Sequence, residues 1–321
     1  MILLLQYTLI FASVLLLVAL GGCFSERSGV INIGLEGVMV VGALGGALVM
    51  KFLPATVGAP VMLLTTLLAS ALFGLIFSLL LAVAAINFKA DQTITGTAMN
   101  MLATAGATVA VKAMNTAASG GNDVSSDISY VHTKDLFLVR LGNFEFSWFM
   151  LVAVICLVVS YVLLYKTKFG LRLRACGEHP QAADSVGINV YKMRYAGVLI
   201  SGILGGLGGI VYITAGVSVW KFEYGVAGFG FLALAVMIFG NWKPLNIALA
   251  SLLFGLFKCV AAAYTTIDIN GDGVYMLAQL GISSHLYRML PYLITLIVLS
   301  FTSKKSRAPK AEGIPYDKGM R

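Results

Sequence analysis

The sequence predicts an all-α, polytopic bundle of transmembrane helices. Two features of composition carry this prediction: 59% of the 321 residues are hydrophobic and only 11% are charged. Because an ordinary soluble domain carries about 25% charged residues, this chain lacks the polar surface that a water-soluble globule needs. The third observation is a series of apolar runs, most of them near the ~20 residues that a helix needs to cross a bilayer. The composition therefore excludes a water-soluble enzyme, a nucleic-acid-binding protein and a disordered protein.

The apolar runs are separated by short polar or glycine-rich breaks. In chain order they cover residues 2–22, 29–50, 61–86, 93–111, 148–165, 195–215, 226–240, 245–264 and 290–301. Since glycine-broken or re-entrant segments are easily miscounted, we expect about nine spans, between eight and ten. The runs form one transmembrane domain, 1–301, with a polar segment at 166–194 and a basic tail at 302–321.

The distribution of basic residues predicts the orientation of the chain. The segment 166–194 carries six lysines and arginines, and the tail carries six more, together 12 of the 22 in the sequence. Basic residues in short loops stay on the cytoplasmic side of a membrane. Both segments are therefore expected to be cytoplasmic, and the four runs between them satisfy the even number of crossings that this requires. Counting backwards places the N-terminus outside.

Asn32 and Glu36 are four residues apart in a glycine-rich stretch, so a helix would present them on one face. An acidic residue inside a membrane is expensive and usually faces a cavity or a partner. The flanking glycines indicate a broken helix, which is tolerated where it lines protein or water. The alternative is that Glu36 sits at the membrane edge, where it caps its own helix or pairs with Arg27.

Three further residues are candidates for a translocation path. Asn100 lies in the middle of the run 93–111, where it could line the path or form an interhelical hydrogen bond. The run 226–240 is short and opens with glycines, and paired broken segments in two halves of a transporter mark its substrate site. Phe229 and Phe231 in this run could stack on a flat ligand or simply pack.

Small residues recur every four positions in two of the runs. Ser201, Gly205 and Gly209 follow this spacing in one run, and Gly42 and Gly46 in another. Such spacing lets helix backbones approach closely in a bilayer. The contact could lie within one subunit or between two subunits.

The segment between residues 177 and 188 predicts a short helix with defined ends. Pro180 suits the first helical position, where its missing N–H group costs nothing, and Gly187 suits the stop beyond the end. About seven residues can neither cross a bilayer nor form a stable helix alone in water. The helix must therefore dock on something, either a partner subunit or, as a passive interfacial helix, anionic membrane lipid.

Four motifs give the chain a resemblance to a known family. They are residues 26–37 (ERSGVINIGLEG), 177–188, 228–244 and the tail motif RAP…GIPY at 307–316. The chain resembles the permease subunits of bacterial ABC importers for branched-chain amino acids, simple sugars and nucleosides, nearest the nucleoside and simple-sugar subgroup. In that family the segment matching 177–187 is the coupling helix that binds the ATPase subunit. The residues that would carry this role here are Gly177, Glu178, Pro180, Ala182, Ala183, Asp184 and Gly187.

The resemblance implies a permease in the bacterial inner membrane that has no cofactor and no catalytic residues. Its implied partners are a separate ATP-binding subunit, a second permease (a paralogue or a second copy) and an extracytoplasmic substrate-binding lipoprotein. The absence of a GxxxxGK[ST] phosphate-binding loop agrees with this expectation. The implied cargo is a nucleoside or a similar flat polar molecule, with sugars and flavins still open. The alternative from another class is an ATP-independent secondary transporter or channel; a membrane-bound enzyme is disfavoured because no histidine cluster has metal-ligand spacing.

Overall fold

The computed structural model describes residues 2–54, 56–128, 137–141, 144–216, 221–265, 279, 283–302 and 307–319. Within these ranges the chain forms eleven α-helices and one two-stranded antiparallel hairpin. The helices are α1 Ile2–Arg27, α2 Leu35–Phe52, α3 Ala59–Ala82, α4 Gln92–Ala118, α5 Trp148–Lys166, α6 Lys168–Glu178, α7 Pro180–Ser185, α8 Val190–Val211, α9 Phe229–Phe239, α10 Pro244–Ala263 and α11 Ser284–Thr302. The hairpin pairs β1, Leu138–Leu141, with β2, Phe144–Ser147.

The predicted all-α polytopic fold is confirmed, and each of the nine predicted runs contains a helix. Among the described residues, seven helices are long and apolar enough to cross a membrane. α11 has 19 residues, whereas α9 has only 11. At 1.5 Å per residue, α9 is about 16 Å long, roughly half of the ~30 Å hydrocarbon core. α9 is therefore a half-helix, as the short glycine-led run 226–240 indicates.

The second predicted run does not begin as a helix. The sequence predicts a span over 29–50, but residues 30–32 have no regular secondary structure and α2 starts only at Leu35. Two other helices end in wider turns: π-helical turns cover Val83–Asn87 after α3 and Tyr212–Gly216 after α8. The hairpin lies in the polar stretch between α4 and α5.

α1 lies at the centre of the bundle. Of its most apolar 18-residue stretch, 94% is buried, against 28% for each of α3, α4 and α5. A helix that is hydrophobic on all sides can be buried on all sides, and α1 has only apolar or small polar residues between Leu9 and Phe24. α3, α4 and α5 consequently form the periphery, where apolar side chains face lipid or another subunit.

The small residues in α2 and α8 pack against each other inside this chain. A Cβ atom at Gly42 would lie 2.3 Å from Cα of Gly206, and one at Gly209 would lie 2.0 Å from the carbonyl oxygen of Met39. No side chain larger than hydrogen fits at these distances. The close approach of α2 and α8 thus accounts for the spacing of Gly42, Gly205 and Gly209, as expected for packing within one subunit.

Candidate functional site

The extended segment before α2 is held by side chains of α4. The backbone N–H of Ile31 donates to Oε1 of Gln92 at 2.7 Å. Nδ2 of Asn100 donates to the carbonyl of Ile33 at 3.0 Å, while its Oδ1 accepts from the N–H of Gly37 at 2.7 Å. Non-helical backbone at membrane depth is tolerated only where protein or water satisfies its polar groups. These bonds explain why the segment remains extended.

Asn32 lies in the same segment and is completely buried. Its Nδ2 donates to Oγ of Ser201 on α8 at 2.9 Å. Asn32 therefore ties the segment to α8, as Asn100 ties it to α4. In this conformation both asparagines bond to protein groups; whether either of them also meets cargo remains a prediction.

Glu36 binds the beginning of the half-helix α9. Its Oε1 accepts from the backbone N–H of Gly228 at 2.8 Å, and its Oε2 accepts from that of Gly230 at 2.7 Å. The first N–H groups of a helix have no partner within the helix, and the positive end of its dipole attracts an anion. Glu36 is thus a cap supplied to α9 by α2.

The glycines of α9 allow this contact. A Cβ atom at Gly230 would lie 2.5 Å from the backbone nitrogen of Glu36, and Gly228 has a φ of +75°, in the left-handed region. The alternative pairing of Glu36 with Arg27 is not formed. Arg27 instead makes an ion pair of 3.8 Å with Glu178.

The two phenylalanines of α9 have different surroundings. Phe229 is 3% exposed, with its ring 4.8 Å from that of Tyr212 and 5.7 Å from that of Phe11. Its position is a packed one. Phe231 is 49% exposed, so its ring remains available for contact with a ligand, lipid or another subunit.

Lys258 on α10 joins this site, and the sequence analysis missed it. Its Nζ lies 4.6 Å from the centre of the Phe229 ring and 5.5 Å from that of Tyr292 on α11. Lys258 and Glu36 also interact electrostatically. The missed signal is a lone lysine in the apolar run 245–264, because an ionisable residue within a span is a functional candidate by default. We call Glu36, Phe229, Lys258 and Tyr292 the intrabundle cluster.

The short helix α7 stands at one end of the bundle. It begins at Pro180 and is six residues long, close to the predicted extent. Pro180 and Ala183 face inward and are buried, Asp184 is half-buried, and Ala182 is exposed. Gly187 follows with a φ of +83°, as a helix stop requires.

The helix before α7 is anchored to the end of α1. A Cβ atom at Gly177 would lie 2.3 Å from the carbonyl oxygen of Arg27. Together with the ion pair between Arg27 and Glu178, this contact fixes the start of α7 relative to the centre of the bundle.

Residues 307–319, here called the C-terminal strap, cross this same end. The N–H of Ala311 donates to the carbonyl of Gly177 at 2.8 Å, and the N–H of Gly313 donates to that of Gly29 at 3.3 Å. Nη1 of Arg194, a fully buried residue of α8, donates to the carbonyl of Ile314 at 2.9 Å. The strap therefore joins the ends of α1, α6 and α8.

Two side chains fasten the end of the strap. The buried ring of Tyr316 packs edge-on against Tyr191, with 5.3 Å between centroids. Nζ of Lys89 makes an ion pair of 2.7 Å with Asp317. This pair lowers the pKa of Asp317 and raises that of Lys89.

Glu312 of the strap contacts a second carboxyl group. Its carboxyl group interacts with that of Glu26 at the end of α1. Oε2 of Glu26 also accepts from Nε1 of Trp242 at 2.6 Å. Burial raises the pKa of Glu312 above its usual range.

The described residues contain no group of three or more histidine, cysteine, aspartate or glutamate side chains placed to bind a metal ion. The arrangement is instead a bundle with a broken helix pair inside it and a short docked helix at one end. That combination defines a multi-pass membrane protein of the transport-subunit class.

Residues 4–299 match the family described as branched-chain amino acid transport system / permease component, and the chain belongs to this family. It is 41% identical to the guanosine ABC transporter permease NupQ of Bacillus subtilis, over 98% of this chain and 96% of that protein. It is 38% identical to the nucleoside ABC transporter permease NupC of Lactococcus lactis, over 97% of this chain and 95% of that protein. No solved structure matches the chain. The chain is therefore a permease subunit of an ABC transporter.

Proposed function

We propose that this chain is one of two permease subunits of an ATP-driven importer whose cargo is a nucleoside. The observation that carries the cargo is the similarity, at 41% and 38% identity, to permeases named for guanosine and for nucleosides. The similarity extends over nearly the whole chain, including every element of the intrabundle cluster. Sugars and flavins are the competing cargoes, and neither of these two relatives is named for them.

In this proposal ATP is hydrolysed on a separate ATPase subunit that binds at α7. The support is the geometry of this helix, which has six residues and therefore cannot stand alone in water. Its buried residues Pro180 and Ala183 attach it to the bundle, while Gln181 and Ala182 are exposed for a partner. A helix that is attached to the bundle on one side and exposed to a partner subunit on the other can pass motion from the partner to the bundle.

The end of the bundle that carries α7 and the C-terminal strap is proposed to be cytoplasmic. The two segments touch each other, at Ala311 and Gly177, and both lie in the most basic parts of the sequence. The opposite end would then receive cargo from an extracytoplasmic binding lipoprotein. This assignment corresponds to a protein of the bacterial inner membrane.

A second permease subunit is proposed to cover α4. This helix has the lowest mean hydropathy of the seven candidate spans, 1.2, yet only 28% of its window is buried. Thr93 and Thr97 are exposed on it, and Gly106 faces open space. A polar, small-residue face suits another protein or a water-filled path better than lipid.

The path for cargo is proposed to pass the broken helices. Phe231 offers an exposed aromatic surface there, while Asn32, Glu36 and Asn100 hold the extended segment and the start of α9 in place. Phe229 supports the site by packing. Helix breaks of this kind lie near substrate sites in transporters because they leave polar backbone groups and helix ends facing inward.

The test is reconstitution. The chain is purified in mild detergent with its native associates, which mass spectrometry identifies, and the complex is placed in vesicles with the binding protein. We expect an ATPase to co-purify and radiolabelled guanosine to enter only with hydrolysable ATP. Guanosine entry without ATP would contradict the ABC mechanism, and ATP-dependent entry of glucose or riboflavin but of no nucleoside would contradict the cargo.

A further inference from the structure

The ammonium group of Lys258 has hydrogen-bonding capacity that the described residues do not use. It carries three N–H donors and no acceptor, and no described residue accepts a hydrogen bond from it. It lies over the faces of the Phe229 and Tyr292 rings, at 4.6 and 5.5 Å from their centres. Rings attract a cation but leave its hydrogen-bonding capacity unused. Lys258 is only half-buried, so these donors stay accessible within the apolar bundle, and the group is suited to a ligand that brings acceptors.

The surroundings of Lys258 restrict the charge of that ligand. Glu36 interacts with Lys258 electrostatically, and its two oxygens already accept from the backbone of α9. The carboxylate offsets the charge of the ammonium but leaves its protons free. A neutral ligand with acceptor atoms therefore fits the intrabundle cluster better than an anion.

Tyr292 supplies a flat surface beside these donors. Its side chain is exposed enough to meet a ligand, since the residue is 45% exposed. Its hydroxyl lies beside Gly228, 3.2 Å from where a Cβ atom would stand. A nucleobase is flat, and aromatic rings stack on bases of any sequence. Donor and stacking surface thus come from two adjacent helices, α10 and α11.

We propose that Lys258 selects the cargo by donating hydrogen bonds to the O6 and N7 acceptors of a 6-oxopurine nucleoside, with Tyr292 beside the base. This inference rests on the proposed nucleoside cargo and goes further, because it names the purine edge that is read. Lysine pairs with guanine O6 and N7 in the same way in nucleic-acid recognition. Adenosine presents an N6 amino donor in place of O6, so one of the two acceptors is lost and two donors oppose each other.

The experiment measures selectivity rather than activity alone. The complete transporter, reconstituted with its binding protein, is tested for uptake of guanosine, inosine and adenosine. The variants are Lys258→Met, which keeps the unbranched apolar stem of the side chain but lacks the ammonium group, and Lys258→Arg, which keeps its charge and donors. We expect the wild type to prefer guanosine and inosine, and Lys258→Met to reduce that preference over adenosine at least about fivefold. Lys258→Arg should retain most of it.

The outcomes separate the two proposals. Equal losses for all three nucleosides in Lys258→Met, or no preference in the wild type, would overturn the role of Lys258 while leaving nucleoside transport intact. A wild type that carries no nucleoside would contradict the proposed function itself. If Lys258→Met does not assemble, Lys258→Gln serves with the same criterion, because its single amide donor should also erode the preference.

Discussion

The carboxylate of Glu36 and the backbone N–H of Gly230 form a hydrogen bond of 2.7 Å between residues 194 positions apart. Glu36 also lies in the first turn of its own helix, α2. One carboxylate therefore sits at the positive ends of two helices, α2 and α9, and interacts favourably with both dipoles. The broken helix pair is joined through this single side chain.

Replacement of Glu36 by glutamine should loosen the start of α9. The amide keeps one acceptor oxygen but loses the charge, and hydrogen bonds to charged groups contribute about 1.5–3 kcal/mol. We expect a lower unfolding temperature in detergent and reduced uptake. Fluorescence-detected size-exclusion chromatography after heating measures the first effect.

A matched control for this variant is Glu223→Gln. Glu223 is a half-exposed carboxylate that pairs with Lys112 at the protein surface, so its replacement should leave the unfolding temperature nearly unchanged. An unaltered melting profile for Glu36→Gln would argue against the cap.

Replacement of Gly206 by alanine should destabilise the contact of α8 with α3. The added methyl group would lie 2.4 Å from the carbonyl oxygen of Ser70. Overpacking of this kind typically costs about 1–3 kcal/mol. The same thermal assay reports the loss.

Gly106→Ala is the control, because Gly106 has no atom within 4 Å of the added group, and alanine is favoured over glycine in a helix by about 0.5–1 kcal/mol. Equal melting temperatures for the two variants would contradict the packing described for α8.

Substitution of Gly187 should impair the coupling of ATP hydrolysis to uptake. Its φ of +83° is strained for other residues, although no atom lies within 4 Å of an added Cβ. The left-handed conformation costs an ordinary L-residue about 1–2 kcal/mol, and asparagine tolerates it best. We expect ATP hydrolysed per nucleoside moved to rise in the order glycine, asparagine, alanine, valine, with the protein still in the membrane. If the amount of ATP hydrolysed per nucleoside transported stayed constant across this series, Gly187 would have no role in coupling.

Attachment of the C-terminal strap should weaken as the pH rises. Burial raises the pKa of Glu312 in the docked strap, whereas a free glutamate has a pKa of about 4.3. The docked state therefore binds the extra proton, so its stability is greatest below the ordinary pKa and falls as the pH rises through the raised value. Trypsin cleavage after the exposed Lys310, followed between pH 5 and 8, measures this release.

Two variants test the origin of that pH dependence. Glu312→Gln needs no proton to dock, and we expect its cleavage rate, corrected for trypsin activity, to be independent of pH. Asp317→Asn removes the ion pair with Lys89, which should accelerate cleavage at every pH without changing the slope, because the lowered pKa of Asp317 keeps it charged throughout this range. A slope that persists in Glu312→Gln would assign the effect to another group.

The sequence is sufficient to predict the apolar runs, because spanning a bilayer depends on length and composition alone. It also predicts the two ends of α7, because Pro180 and Gly187 set the start and the stop of this helix through the local backbone conformation. It does not reveal that Glu36 caps α9 rather than its own helix, because that contact joins residues nearly 200 positions apart in the chain. Lys258, like Glu36, is an ionisable residue within an apolar run, which marks it as a functional candidate. The sequence pattern does not show which residues lie beside it in the folded bundle. The extended start of the second run depends on Gln92 and Asn100, which only the folded bundle brings near.

The position of the C-terminal strap also has a consequence for biosynthesis. Its residues follow α11 in the chain, so the ribosome synthesises them after all the described helices. Until then the pocket for Tyr316 is empty, and the surface around Cys176, Ala183 and Val190 that it covers is open. The face that carries α7 is thus completed only after α11 has been synthesised, although α7 itself precedes α11 by about 100 residues in the chain.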